Sequence, residues 1–294
     1  MRPRALHRQF TSQAELDAQY DTSRATPDAA RQLERFQAES ERARSELDCR
    51  LDVPYGPTRP ERLDYFPAGS EAPLLVFIHG GYWRARSARD FSFVARGPVR
   101  AGVSVAVVEY ALCPQVSVSE IVRQCRAAVA WLHRRGHEQI NVTGHSAGGH
   151  LVGMLLATDW EADWREVPGD VIRSACTISG LFDLAPFPYT WLQPALQLTW
   201  EEVVRLSPLY HLPDRAGPLL VSYGGRETAE LRRQSEDFLA VWRARGLDGE
   251  LLVQPEADHY SGIRGLSDPD SPLCRALLRQ VATAASSRSA GRRC

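Results

Sequence analysis

Strand-length apolar runs separated by helical stretches recur from residue 74 almost to the end of the chain, and this alternation constrains the fold more than any other feature. Leu74-Leu75-Val76-Phe77-Ile78 is continuously apolar, as a strand buried on both faces should be. It is followed by a helix near Ser87–Arg100, a strand at Ser104–Val108, a helix at Val118–Arg135, a strand at Ile140–Thr143, a helix at Ala147–Thr158 and a strand at Ser174–Ser179. Strand Leu219–Tyr223, helix Ala229–Arg245, strand Glu250–Gln254 and helix Pro272–Ala284 complete the series. Repeated βα units predict an α/β protein with a mostly parallel central sheet and helices on both faces. Upstream, Leu63–Phe66 reads as an edge strand and Asp52 to Pro60 as a turn region rich in Pro and Gly. Between Ala14 and Leu47, apolar residues such as Leu33 and Phe36 fall at helical spacing. The expected organisation is an N-terminal helical arm (1–60) packed on the core and a main domain (61–285). An irregular, proline-containing insertion at about 183–212 follows the sixth strand, and a flexible tail covers 286–294.

Composition narrows the function. At 294 residues and 44% hydrophobic, the chain suits one large core. A net charge of −1, with both signs spread along the sequence, leaves no electrostatic footprint for nucleic acid or anionic lipid, so a small-molecule substrate is the expected partner. All 35 basic residues are arginine, which excludes Schiff-base lysines, a Ser-Lys dyad and a P-loop lysine. The six cysteines (49, 113, 125, 176, 274 and 294) form no C-x-x-C pair and no zinc-spaced cluster, so they are expected to be reduced and no metal is expected. No G-x-G-x-x-G or other cofactor fingerprint is present, so no cofactor is expected. Residues 1–20 lack the apolar run of a signal peptide, which together with the cysteines predicts a soluble cytoplasmic protein. A homodimer is allowed, but nothing in the sequence specifies one.

The chemistry is carried by Gly144-His145-Ser146-Ala147-Gly148, a G-x-S-x-G between an apolar strand and an Ala/Leu-rich helix. That context is what the nucleophile elbow of an α/β-hydrolase requires, with Ser146 raised on a sharp turn and glycines on both sides making room for the backbone. Upstream, strand Leu74–Ile78 runs into His79-Gly80-Gly81-Tyr82-Trp83. A glycine-rich loop there can offer backbone N–H groups to an oxyanion, so Gly80, Gly81 and Ala147 are the expected donors. A serine hydroxyl needs a base, and this fold orders its triad serine, acid, histidine. His259 follows the last strand, as a base should, whereas His211 sits in the proline-rich insertion. The acid is expected at Glu227, after strand Leu219–Tyr223; Asp183, Asp248 and Asp258 are its rivals. His133 and His137 are four apart but lack H-E-x-x-H, and read as a helix C-terminus.

These motifs, with Glu109-Tyr110-Ala111-Leu112-Cys113-Pro114, Gly148-Gly149-His150-Leu151 and Ser179-Gly180-Leu181-Phe182-Asp183-Leu184, resemble the kynurenine formamidase (arylformamidase) branch of the α/β-hydrolases from about Tyr20 to Leu278. The resemblance implies hydrolysis of N-formyl-L-kynurenine to kynurenine and formate through an acyl-enzyme. That family's acid is commonly Asp, and Glu227 stands there in this chain. The same triad and oxyanion loop suit a carboxylesterase acting on small acyl or aryl esters, which is the alternative. Tyr82, Trp83, Phe182 and Trp191 are the aromatic residues available to wall an aryl pocket.

Overall fold

A computed structural model describes residues 5–291, with side chains described to Ala284. Eight strands, β1 (Arg50–Pro54), β2 (Arg62–Phe66), β3 (Leu74–Ile78), β4 (Ser104–Val108), β5 (Ile140–His145), β6 (Ile172–Ile178), β7 (Leu219–Gly224) and β8 (Gly249–Gln254), form one sheet in the order β1-β2-β4-β3-β5-β6-β7-β8. The β1–β2 and β2–β4 pairs are antiparallel, and every pair from β4 through β3 to β8 is parallel.

The continuous apolar run of β3 divides by alternation between two cores. Leu74, Val76 and Ile78 join the cluster under helices Val118–Arg134, Ala147–Leu156 and Ala229–Ala244. Leu75 and Phe77 join the cluster under the opposite helices, among them Pro272–Gly291. Burial on both faces explains why β3 and β4 carry no polar side chain larger than serine.

Four details depart from the sequence expectation. Strand β1 overlaps the region read as turn; its residues are mostly exposed and it pairs only as an edge, so no apolar pattern marks it. The helix expected at Ser87–Arg100 is a 3₁₀ stretch, Ala88–Ala95, followed by a short α-helix, Arg96–Arg100, with Pro98 in the first turn of the latter, where its missing N–H is tolerated. The arm is three helices, Gln13–Tyr20, Thr22–Ala25 and Ala29–Glu46. The C-terminal helix continues to Gly291, past Ala284, and residues 292–294 of the expected tail lie outside the described residues.

The sheet changes direction between β3 and β5: from β3 the chain moves to β4 on one side, and from β5 it moves to β6 on the other. A crevice forms at the carboxyl ends of strands at such a switch point. The His79-Gly80-Gly81 loop leaves β3 and Ser146 leaves β5, so the two motifs emerge side by side.

The arm spans the crevice. Phe36 packs 4.9 Å from Phe93 and 5.8 Å from Phe91, ring centre to ring centre, and Ser40 Oγ accepts the Phe93 N–H at 3.3 Å. On the other side, the buried Tyr20 hydroxyl donates to Glu230 Oε2 at 3.0 Å. Phe36→Ala removes the ring that fastens the long arm helix, and should lower unfolding free energy by roughly 3–5 kcal/mol in denaturant titrations.

Candidate active site

Ser146 has φ 57° and ψ −120°, a conformation that costs a non-glycine residue on the order of 1–3 kcal/mol. It is held there by close packing on both sides. A Cβ on Gly148 would lie 2.0 Å from the Ile78 carbonyl oxygen, and one on Gly144 would lie 2.3 Å from the Gly148 carbonyl oxygen. The helix Ala147–Leu156 can therefore approach β3 and β5 this closely only if both positions are glycine. The Ser146 N–H is taken by the Ile178 carbonyl of β6 at 2.9 Å, which ties the elbow to the next strand.

The Gly80 loop lies directly on this turn. A Cβ on Gly80 would meet Ser146 Cβ at 3.0 Å and the His145 carbonyl oxygen at 2.8 Å. Gly81 has φ 115°, and any Cβ there would collide with the Ala85 carbonyl. Among the described residues, the N–H groups of Gly80 and Gly81 donate to no protein acceptor, leaving them available to an anionic oxygen beside Ser146. Ala147 is the first residue of its helix, where backbone N–H groups also lack intrahelical partners.

His259 Nδ1 donates to Glu227 Oε2 at 2.9 Å, and both residues are buried. The other carboxylate oxygen accepts from Ser179 Oγ at 2.6 Å and from the Gly224 N–H at 2.7 Å. A carboxylate so held fixes the Nδ1–H tautomer and leaves Nε2 as the free lone pair. Of the rival acids, Asp183 bonds the Ala185 N–H, Asp258 bonds the N–H groups of Tyr260 and Ser261, and Asp248 contributes its carbonyl to Trp242. His211 bonds the Val204 carbonyl. Ser146 and His259 face the same cavity, with no direct hydrogen bond between them among the described residues.

Three further histidines brace the site, and sequence reasoning gave none of them a role. His145 donates from Nε2 to the His259 carbonyl at 2.8 Å, its ring 4.8 Å from the His259 ring. Burial, then the neighbouring His259, push its pKa down to about 3. His150 accepts the Trp83 indole N–H on Nδ1 at 3.1 Å and donates from Nε2 to the Leu206 carbonyl at 2.7 Å, linking the glycine loop to the insertion; burial pushes its pKa down to about 4. His79 places Nδ1 2.8 Å from the Gly80 carbonyl oxygen and Nε2 3.2 Å from Glu109 Oε1, and stacks on Tyr110. Burial alone would raise the Glu109 carboxyl, but the His79 bond and charge, with the Ala88 and Tyr110 N–H groups, hold it below its ordinary value. Since Gly80 C=O and Gly81 N–H share one peptide plane, pinning that carbonyl also sets where the Gly81 N–H points.

The cavity above Ser146 has a volume of about 170 Å³ and is lined by Gly80, Gly81, Tyr82, His145, Trp191 and His259, with Asp21, Thr22, Ser23, Leu33 and Phe36 of the arm closing it. Ser23 and Thr22 hydroxyls bond the Tyr260 hydroxyl at 3.0 and 3.2 Å, next to His259. Of the four aromatics suggested by sequence, Tyr82 and Trp191 line the cavity. Trp83 is buried against His150, and Phe182 stacks on Phe238 at 4.0 Å. Among the described residues, no group of three or more His, Cys, Asp or Glu is arranged to hold a metal ion, and no helix is long and apolar enough to cross a membrane.

This geometry defines an α/β-hydrolase, and comparison with known proteins agrees. The family model BD-FAE matches residues 64–240. A candidate thioesterase of known structure from Silicibacter sp. TM1040 is 32% identical, superposes with a TM-score of 0.81 and covers 90% of this chain and 99% of its own. Esterase B from Lactobacillus rhamnosus shares the fold at a TM-score of 0.72 and 16% identity, over 95% of this chain and 99% of its own. The kynurenine formamidase of Danio rerio is 32% identical over 92% of this chain and 97% of its own length, and that of Salmo salar is 34% identical over 82% and 85%. The chain belongs to the kynurenine formamidase family.

The buried neutral histidines make stability sensitive to acid. Above the ordinary histidine pKa of 6.5, neither folded nor unfolded chain protonates these rings and they add no pH dependence. Below it, the unfolded chain binds protons that folded His145 and His150 refuse until about pH 3 and about pH 4, so stability is lost as pH falls through that window. By pH 5 the pair should cost roughly 4 kcal/mol, which denaturant titrations at pH 7.5 and 5 would detect. His145→Asn should remove about half of that pH-dependent loss.

Proposed function

We propose that the chain hydrolyses an aryl formamide, N-formyl-L-kynurenine, to L-kynurenine and formate, with Ser146 as nucleophile, His259 as base and Glu227 as the acid that orients it. The reading rests on membership of the kynurenine formamidase family and, in the site, on the buried Glu227–His259 bond opening onto the cavity that holds Ser146. His259 Nε2 takes the Ser146 proton as Oγ attacks the formyl carbon. The tetrahedral oxyanion is held by the N–H groups of Gly80, Gly81 and Ala147. The C–N bond then breaks, the aniline nitrogen takes its proton from His259, and a formyl-serine remains. Water activated by the same imidazole releases formate and restores the serine. The formyl group, with hydrogen in place of a side chain, suits a floor where Gly80 packs on Ser146.

On this reading residues 61–285 are the hydrolase domain, 1–60 an arm that closes its crevice, and the protein works in the cytoplasm, alone or as a homodimer, without a cofactor. A carboxylesterase activity is the second reading. It is favoured by the mycobacterial carboxylic ester hydrolase LipN, 33% identical over 37% of this chain and 32% of its own length.

Ser146→Ala should lower kcat for N-formylkynurenine by at least about 10⁴-fold and abolish fluorophosphonate labelling, and Glu227→Gln should lower kcat by roughly 10³–10⁴-fold. Turnover compared with p-nitrophenyl acetate decides between the readings. Hydrolysis of the ester with N-formylkynurenine untouched would overturn the formamidase reading.

A further inference from the structure

The cavity carries more charge than formamide hydrolysis itself requires. Three formally charged side chains line it: Arg84 and Arg86, just past the glycine loop, and Asp21 from the arm. Among the described residues neither guanidinium has a carboxylate partner or any protein hydrogen bond. Arg84 lies with Cζ 5.4 Å from the centre of the Trp191 ring, which holds it at the cavity wall. The Trp191 indole N–H is itself buried without a protein acceptor.

Arg86 is the more telling of the two. Its φ is 75°, the left-handed region that glycine favours and a long side chain does not. Tyr82 and Trp83, earlier in the same loop, are left-handed too, but their side chains are buried in the core, and that packing accounts for the strain. Arg86 has no such compensation. Its Cγ would lie 3.0 Å from a Cβ on Gly81, so its stem packs on the glycine loop, and Arg86 is among the residues lining the cavity. Strain of about 1–3 kcal/mol at an unpaired, cavity-facing residue is the mark of a functional constraint.

We propose that Arg86, assisted by Arg84, binds the α-carboxylate of an aryl amino-acid substrate, and that Asp21 on the facing arm takes its α-ammonium. The assignment rests on the formamidase reading for its substrate class. Two cations and one anion around an aromatic wall complement a zwitterion carrying an aryl ketone. A planar guanidinium pairs with a carboxylate in two parallel hydrogen bonds. The reacting formyl group would then lie at Ser146 and the amino-acid head at the cavity mouth, so that selectivity for the substrate resides in residues that take no part in the chemistry.

The test is calorimetric titration of the full-length enzyme with L-kynurenine, which is a product and does not turn over. The comparison ligands are kynuramine, which lacks the carboxylate, and 2-aminoacetophenone, which lacks the whole amino-acid head. L-kynurenine should bind at least tenfold more tightly than either. Arg86→Gln should reduce that preference to less than threefold, Arg86→Lys should restore part of it, and Asp21→Asn should weaken L-kynurenine and kynuramine but not 2-aminoacetophenone. Equal affinity of the wild-type enzyme for all three ligands overturns the proposal even if a variant fails to fold, as does a preference that survives in Arg84→Gln/Arg86→Gln. The two readings separate cleanly. If N-formylkynurenine is hydrolysed but the arginine variants bind normally, the subsite falls and the activity stands; if L-kynurenine binds through Arg86 but its formamide is not cleaved, the reverse holds.

Discussion

The contact on which the site depends is the approach of the helix Ala147–Leu156 to the sheet. Gly148 sits against the Ile78 carbonyl and Gly144 against the Gly148 carbonyl, at separations that leave no room for a side chain. Once that helix is seated, the chain between β5 and the helix has one residue in which to turn, and Ser146 takes a left-handed φ to do so. The strain is offset by burial of the helix, whose residues are all buried. The same seating brings the start of the helix beside the Gly80 loop, so one packing constraint sets the serine turn and the glycine loop against each other.

Around that fixed point, polar groups control orientation. Glu227 satisfies both carboxylate oxygens with Ser179, Gly224 and His259, so the imidazole it positions has one tautomer. His145 anchors the His259 backbone, and His150 joins Trp83 of the glycine loop to Leu206 of the insertion. Each uses a neutral ring as a rigid connector, and each exacts a cost in acid because a buried imidazole cannot easily accept a proton. The site is thus coupled to the stability of its surroundings: what holds the imidazole and the glycine loop in place also limits the pH range of the fold.

The arm completes the cavity. Residues 21–36 contribute lining from a segment about fifty residues before the glycine loop, held by aromatic packing at Phe36 on one side and by the Tyr20–Glu230 bond on the other. The Tyr82 hydroxyl also donates to the Tyr20 carbonyl, so the glycine loop and the arm share a contact.

Much of this was legible in the sequence because it is local. The β3 run Leu74–Ile78 and the G-x-S-x-G between strand and helix report burial and turn geometry through residue type alone, and the order of Ser146, Glu227 and His259 follows from which strand each one succeeds. The exposed strand β1 was not legible, since pairing at a sheet edge requires no apolar pattern. Nor were the roles of His145, His79 and Ser179, or the convergence of Asp21 with Arg84 and Arg86, because these depend on contacts between residues far apart in the chain. Sequence alone determined the order of elements and the chemical types at the strand ends. Tertiary structure decided which polar atoms meet, because hydrogen bonds and enclosure act over a few ångströms and only the packed sheet brings distant segments that close.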